Sequence, residues 1–194
     1  MSDSQLITKM ISKNSRVNSK KIRNGEIEQQ EIAKITEAIV QLNQYNFTIM
    51  TKCHTIQQIE IQARKLKNKN KLDLLIIDYL QLIRNSGKFN NREQEVADIS
   101  RTLKLLSLEL DIPIIALSQL NRNATRTEPT LADLRESGSI EQDADNIILL
   151  YSNSSDSSNS EVVTVDLQKQ RAGNIGAIKL LFSKFNSEFK NIIH

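Results

Sequence analysis

Between residues 74 and 117 the chain reads as a short apolar run, an amphipathic helix and a second short apolar run, and few folds accept that order. Leu74–Ile77 and Ile114–Leu117 are rich in β-branched residues and lack hydrophobic–polar alternation, the pattern of parallel strands covered on both faces. The helix between them starts near Asn90 or Asn91, with Glu93 and Gln94 placed for reciprocal capping. It carries Val96, Ile99, Leu103, Leu106 and Leu110 on one face. A right-handed β-α-β unit is the expected result. Pro113 falls on the first residue of its strand, where a missing N–H is tolerated.

The pattern extends in both directions. Phe47–Met50 and Asn146–Tyr151 are predicted as further strands of the same kind. Residues 28–42 are predicted helical, with Ile32, Ile35, Ile39 and Leu42 as the inward stripe. Thr55 opens another helix with Gln58 three residues on, and Ile56, Ile59, Ala63 and Leu66 repeat the spacing. Gln5–Ile11 gives a weaker helical signal. Glu161–Leu167 and Ala177–Ser183 do alternate, and Gly173 and Gly176 lie between them, which predicts an antiparallel hairpin appended to the parallel sheet. Ser152–Ser160 is a polar loop, and no internal repeat is present. The fold class is α/β, a mostly parallel sheet with a carboxyl-terminal antiparallel hairpin.

At 194 residues the chain is one domain, or a domain plus an arm, and 39% hydrophobic with 25% charged residues is a globular composition. No run of 18 apolar residues provides a membrane span, and Met1-Ser-Asp-Ser-Gln5 lacks the basic-then-apolar start of a secretory signal. Cys53 has no second cysteine to pair with, and with two histidines it makes a poor zinc set, so a reducing, soluble compartment is expected. The net charge of +3 is unevenly spread. Residues 1–71 hold 13 Lys+Arg against 6 Asp+Glu, and the remainder 13 against 17. A basic first third suits nucleic acid or phosphate, or is a solvated surface in a chain rich in Lys, Asn and Ile. That bias also points to an AT-rich coding genome.

Four places carry residues suited to chemistry. Asp78 follows a buried strand at its carboxyl end, where open α/β sheets bind ligands; such an acid holds magnesium in nucleotide hydrolysis, or simply caps the next turn. Ser118 and Gln119 end the next strand in the same way and suit the positioning of water or the sensing of a γ-phosphate. Asp133–Asp145 is dense in charge, and Arg135, Gly138 and the serine hydroxyls suit contact with a phosphodiester backbone without reading bases, or the stretch is a helix-capping surface loop. Lys169, Gln170 and Arg171 stand before a glycine turn, as a finger toward another subunit's phosphate or as an exposed basic turn.

Taken together these stretches resemble the DnaB family of replicative helicases over nearly the whole chain. The resemblance is carried by Asp73–Leu82, Asn91-Arg92, Glu95, Ile99–Lys104, Leu108–Pro113, Ala116–Arg122, the thirteen residues Asp133–Asp145, and Lys169–Arg171 with Gly173. Ser15–Val17 and Lys21–Gly25 are also similar to that family. The resemblance implies a RecA-like, ATP- and Mg²⁺-dependent motor that forms a homo-hexameric ring around single-stranded DNA and translocates 5′ to 3′. Primase and a helicase loader are implied partners, with no membrane. It further implies Asp78 as the magnesium-organising acid, Gln119 as the sensor, and Lys169, Gln170 and Arg171 as the element that reaches the adjacent subunit's ATP. Arg135, Glu136 and Gly138 become the DNA contacts, with Arg84–Arg92 as the other pore-side loop.

One departure stands beside the match. No G-x-x-x-x-G-K-[ST] occurs in the 194 residues, and the family's phosphate loop, catalytic glutamate and primase-binding domain fall upstream of the matching part. The expectation is therefore a partial motor domain, residues 1–194, whose ATP affinity alone is severely reduced. The alternative is a non-hydrolysing DNA-binding or ring-subunit remnant. A recombinase-like or clock-type RecA-fold ATPase has no reason to carry Arg135–Gln142. Family and genome bias together suggest a plastid (chloroplast), with a bacterial cytoplasm as the alternative.

Overall fold

The computed structural model describes residues 2–120, 128–134, 138–152 and 159–192. Among the described residues six α-helices and six strands follow one another: α1 (Asp3–Ser15), α2 (Ser19–Asn24), α3 (Gln29–Asn43), α4 (Ile56–Lys67), β1 (Leu75–Ile77), α5 (Arg92–Leu110), β2 (Ile114–Ala116), α6 (Gly138–Asp143), β3 (Asn146–Tyr151), β4 (Ser160–Gln170), β5 (Gly176–Ser183) and β6 (Glu188–Asn191). None of the described helices is long and apolar enough to cross a membrane. The chain divides into two compact units, one of Met1–Thr51, Leu150–Val165 and Ala177–His194, the other of Lys52–Leu149 and Asp166–Gly176.

The second unit is organised by α5. Its N-cap Asn91 accepts from the Gln94 N–H, and the Asn90 N–H donates to the Gln94 amide, which satisfies amide groups at the helix start. Val96, Ile99, Leu103, Leu106 and Leu110 are all buried, as their spacing predicts. They form one apolar cluster with Ile56, Ile59 and Ala63 of α4, Leu75 and Ile77 of β1, and Ile112 and Ile140. α4 is closed by the expected box, Thr55 accepting from the Gln58 N–H and the Gln58 side chain accepting from the Thr55 N–H. β1 and β2 pair in parallel, Ile76 opposite Ile115, with α5 as the crossover. That is the β-α-β unit read from the sequence.

Leu74, Ile76, Ile115 and Leu117 share one face of the pair and are between 43% and 60% exposed, so among the described residues that face lacks the expected cover. Asn146–Tyr151 is a strand, but it joins β4, β5 and β6 in a separate four-stranded sheet rather than lying beside β2. The links between these neighbours are shorter than the dozen residues that a parallel crossover needs, so the ribbon is antiparallel. β3 accordingly alternates, with Ile147 and Leu149 buried and Ile148 and Leu150 exposed. The predicted two-stranded hairpin is thus the middle of a larger sheet. Phe47–Met50 is not a strand: it pairs with none of the described strands, and Phe47 stays 46% exposed.

In the first unit α1 packs on α3. α1 runs well beyond Gln5–Ile11, started by a Ser2–Gln5 capping box and finished by Ser12, whose buried hydroxyl donates to the Val17 carbonyl at 2.5 Å. Gly25, at φ 76°, closes α2 in a conformation that L side chains rarely adopt. α3 turns a different face inward than its Ile spacing predicts: Ala38 and Leu42 are buried, while Ile32 and Ile39 are exposed. The face that is covered is set by the packing of α3 on α1, which spacing within α3 cannot specify; Lys21 bridges Glu28 at 2.7 Å and Glu31 at 3.2 Å at the helix start.

This packing predicts a sharp contrast along α5. Ile99→Ala should lower the unfolding free energy by about 2–5 kcal/mol, whereas Leu108→Ala, at a position 64% exposed, should cost less than about 0.5 kcal/mol. Urea unfolding followed by circular dichroism measures both, and equal losses would contradict the assigned core.

Candidate functional site

Asp78 and Gln119 stand at the carboxyl ends of the paired strands β1 and β2, and both are exposed. The two strand ends are stitched together. The Leu117 N–H donates to Ile77 O at 2.9 Å, and the Leu80 N–H to Leu117 O at 2.9 Å. Gln81 completes the join: its side chain donates to the Ser118 hydroxyl at 2.9 Å and accepts from the Gln119 N–H at 3.3 Å. Gln81 was not singled out by sequence reasoning, and its only signal was its place three residues beyond Asp78. The arrangement holds an acid and an amide beside each other at the end where ligands bind. Among the described residues no group of three or more His, Cys, Asp or Glu side chains is placed to hold a metal ion without help from a ligand.

The segment after β1 is fixed by the first turns of α5. Arg92 donates to the Gln81 and Ile83 carbonyls at 3.0 and 2.8 Å and pairs with Glu95 at 2.5 Å. Glu95 accepts from the Asn85 N–H at 2.8 Å, and Arg84 lies 3.6 Å from it. Burial disfavours the Glu95 carboxylate, but the Asn85 N–H, the Arg92 guanidinium and Arg84 outweigh it and hold its pKa below the ordinary carboxylate value. In the expected Arg84–Arg92 loop, then, Arg92 is engaged inside the unit while Arg84 remains exposed.

A second charged centre lies beyond α6. Asp145 pairs with Lys104 of α5 at 2.5 Å and with Arg171 at 3.0 Å. Lys169 donates to the Glu141 carbonyl. Gln170 is exposed, and its side-chain amide lies over Gly173 in the turn. Lys104 hydrogen-bonds Asp145 and, with Arg171 and Lys169 near, holds the Asp145 carboxyl below its usual range against the opposing effect of burial. Gly138 is the first residue of α6; Arg135 and Glu136 lie outside the described residues. The structure therefore places Asp78 and Gln119 at the adjacent carboxyl ends of β1 and β2, and Lys169 and Arg171 at the end of α6.

The family of DnaB-like helicase C-terminal domains matches residues 1–191. The chain is 38% identical over 200 residues to the replicative DNA helicase DnaB of Geobacillus stearothermophilus, and 39% identical over 205 residues to a probable replicative DNA helicase of Trieres chinensis. These cover 99% and 100% of this chain but 44% and 45% of the relatives, so it spans less than half their length. Two solved structures superpose with a TM-score of 0.90 at 34% identity over the whole chain. One is a DnaB-like replicative helicase described with its interactions with primase, of which the chain covers 50%; the other is an ATPase domain, covered to 72%.

The Glu95 network yields a pH prediction. A carboxylate whose folded pKa is lowered adds stability that is present above its ordinary value and lost as pH falls through the folded one. Glu95→Gln should cost about 1–3 kcal/mol at pH 7, because Arg92 loses its charge partner. The variant should also lose less stability than the native chain on further acidification below about pH 4.5. Parallel stability–pH curves for the two proteins would contradict the network.

Proposed function

Because the chain belongs to the DnaB-like helicase C-terminal domain family, we propose that it serves as part of a replicative helicase motor, completing a neighbouring subunit's ATP site and contacting single-stranded DNA. The observation that carries this reading is the basic tip Lys169–Arg171, held at the end of α6 with the Arg171 side chain still 58% exposed. A planar guanidinium at a subunit boundary suits the charge that develops on a transferring phosphoryl group.

Mg²⁺–ATP, when bound, supplies the phosphoanhydride and the metal charge. The chain's own residues fit one side of it. The exposed Asp78 carboxylate would order the metal's water, and Gln119, held by Gln81, would orient toward the terminal phosphate. A glycine-rich cradle is not encoded in the 194 residues, so in this reading the phosphate loop comes from a stretch outside them. Arg135, Glu136 and Gly138 would contact the DNA backbone, with a homo-hexameric ring, primase and a loader as partners and 5′-to-3′ translocation as the outcome. Family and Lys/Asn/Ile bias together suit a plastid site of action, with a bacterial cytoplasm as the alternative.

Three experiments test the reading. These 194 residues alone should show no ATP hydrolysis above background. In a ring-competent protein that joins them to a phosphate loop, Arg171→Ala should lower turnover by as much as about 10³-fold or more, as removal of an arginine finger does in GTPases. Lysine should be a poor substitute, and mixing Arg171→Ala with phosphate-loop-dead subunits should restore some activity. Turnover within about twofold of normal, under roughly 0.4 kcal/mol of barrier, would rule the finger out. For DNA, Arg135→Ala should weaken single-strand binding and make the salt dependence shallower, because fewer counterions are released; unchanged affinity and slope would count against Arg135.

A further inference from the structure

Asp145 holds two cations at once, and divides its oxygens between them. Oδ2 faces Lys104 Nζ at 2.5 Å and Oδ1 faces Arg171 at 3.0 Å, while the Arg171 N–H donates to the Asp145 carbonyl at 2.9 Å. The last turn of α6 adds two acceptors, the Glu141 carbonyl for Lys169 and the Gln142 carbonyl for Arg171 at 3.5 Å. Cations suit a helix carboxyl end, whose orphan carbonyls carry partial negative charge. Lys104 itself projects from α5 next to buried Leu103, and its side chain is only 24% exposed.

An isolated exposed Asp–Arg pair would hold little, since ordering two side chains offsets most of the attraction. Here the carboxylate is already fixed from behind by an ammonium on the most buried helix, so only the arginine remains to be ordered. Asp145 is the carboxylate that meets both Lys104 and Arg171, and Lys169 is held separately by the Glu141 carbonyl.

We infer that Asp145, braced by Lys104, is a positioning residue for Arg171: it fixes the guanidinium to the α5–α6 platform so that it meets a neighbour's terminal phosphate already oriented. The inference deepens the finger reading above and rests on it. Orientation settled before the nucleotide arrives lowers the barrier of the chemical step and leaves nucleotide affinity largely alone.

The test has two arms. In the 194-residue chain, phenylglyoxal labelling of Arg171 is measured by peptide mass spectrometry against exposed Arg84 as internal reference. Asp145→Asn and Asp145→Ala should speed Arg171 labelling by about fivefold, as loss of an ion pair near 1 kcal/mol would. Lys104→Met should speed it too, although Lys104 does not touch Arg171, and Lys104→Arg should restore the native rate. In the ring-competent protein, Asp145→Asn should lower kcat about tenfold with KM for ATP within about twofold, the signature of lost orientation. Unchanged labelling in all three weakening variants overturns the inference, whichever of them folds best, and so does a kcat within about twofold. Arg171→Ala is scored beside them. If it spares turnover while Asp145 variants still expose Arg171 to the reagent, the finger reading fails and the anchoring alone stands.

Discussion

Burial of one face of α5 is the constraint from which the second unit follows. Its stripe Val96–Leu110 fills the space between α4 and the β1–β2 pair, and three of the largest fully buried side chains, Ile99, Leu106 and Val96, belong to it. A core residue in that setting can rotate only with its neighbours, because protein interiors are packed near crystal density. The helix is therefore a firm base for the groups that its polar flank engages.

It grips two things. At its first turns Arg92 and Glu95 tie down Gln81–Asn85, the segment that follows the Asp78 strand end and carries Gln81 to Ser118 and Gln119. Farther along, Lys104 holds Asp145, and through it the tip with Lys169 and Arg171. One helix thus anchors both the acid-and-amide end of the parallel pair and the basic tip, the two ends that the proposed motor would present to different nucleotides. Membership of the helicase family gives that arrangement its meaning; the packing of α5 explains how a chain of this size maintains it.

Much of this is legible in the sequence. Capping at Thr55 and Asn91, the stripes of α4 and α5, and the parallel β1–β2 pair all follow from local spacing, because each depends on residues within one or two turns of one another. What failed depended on distant partners. Phe47–Met50 has the composition of a strand and finds no ladder among the described strands, and α3 packs on α1 with Ala38 and Leu42 buried where the isoleucine spacing predicts Ile39. The strand Asn146–Tyr151 was recognised but placed in the wrong sheet, since an apolar run does not say which edge it will join. For the site, the residues with chemical character stood out, whereas the ones that hold them did not. Gln81 and Lys104 have ordinary surroundings in sequence and matter through contacts 37 and 41 residues away.

The central claim is that a buried helix presents Arg171 to a neighbour's phosphate. It is met most directly by a structure of the assembled ring with a non-hydrolysable ATP analogue. The account predicts the Arg171 guanidinium within hydrogen-bonding distance of the adjacent subunit's terminal phosphate, roughly 3 Å, with Asp145 still bridging it to Lys104. A ring in which that phosphate is contacted by other groups while Arg171 stays folded on its own α6 would contradict it.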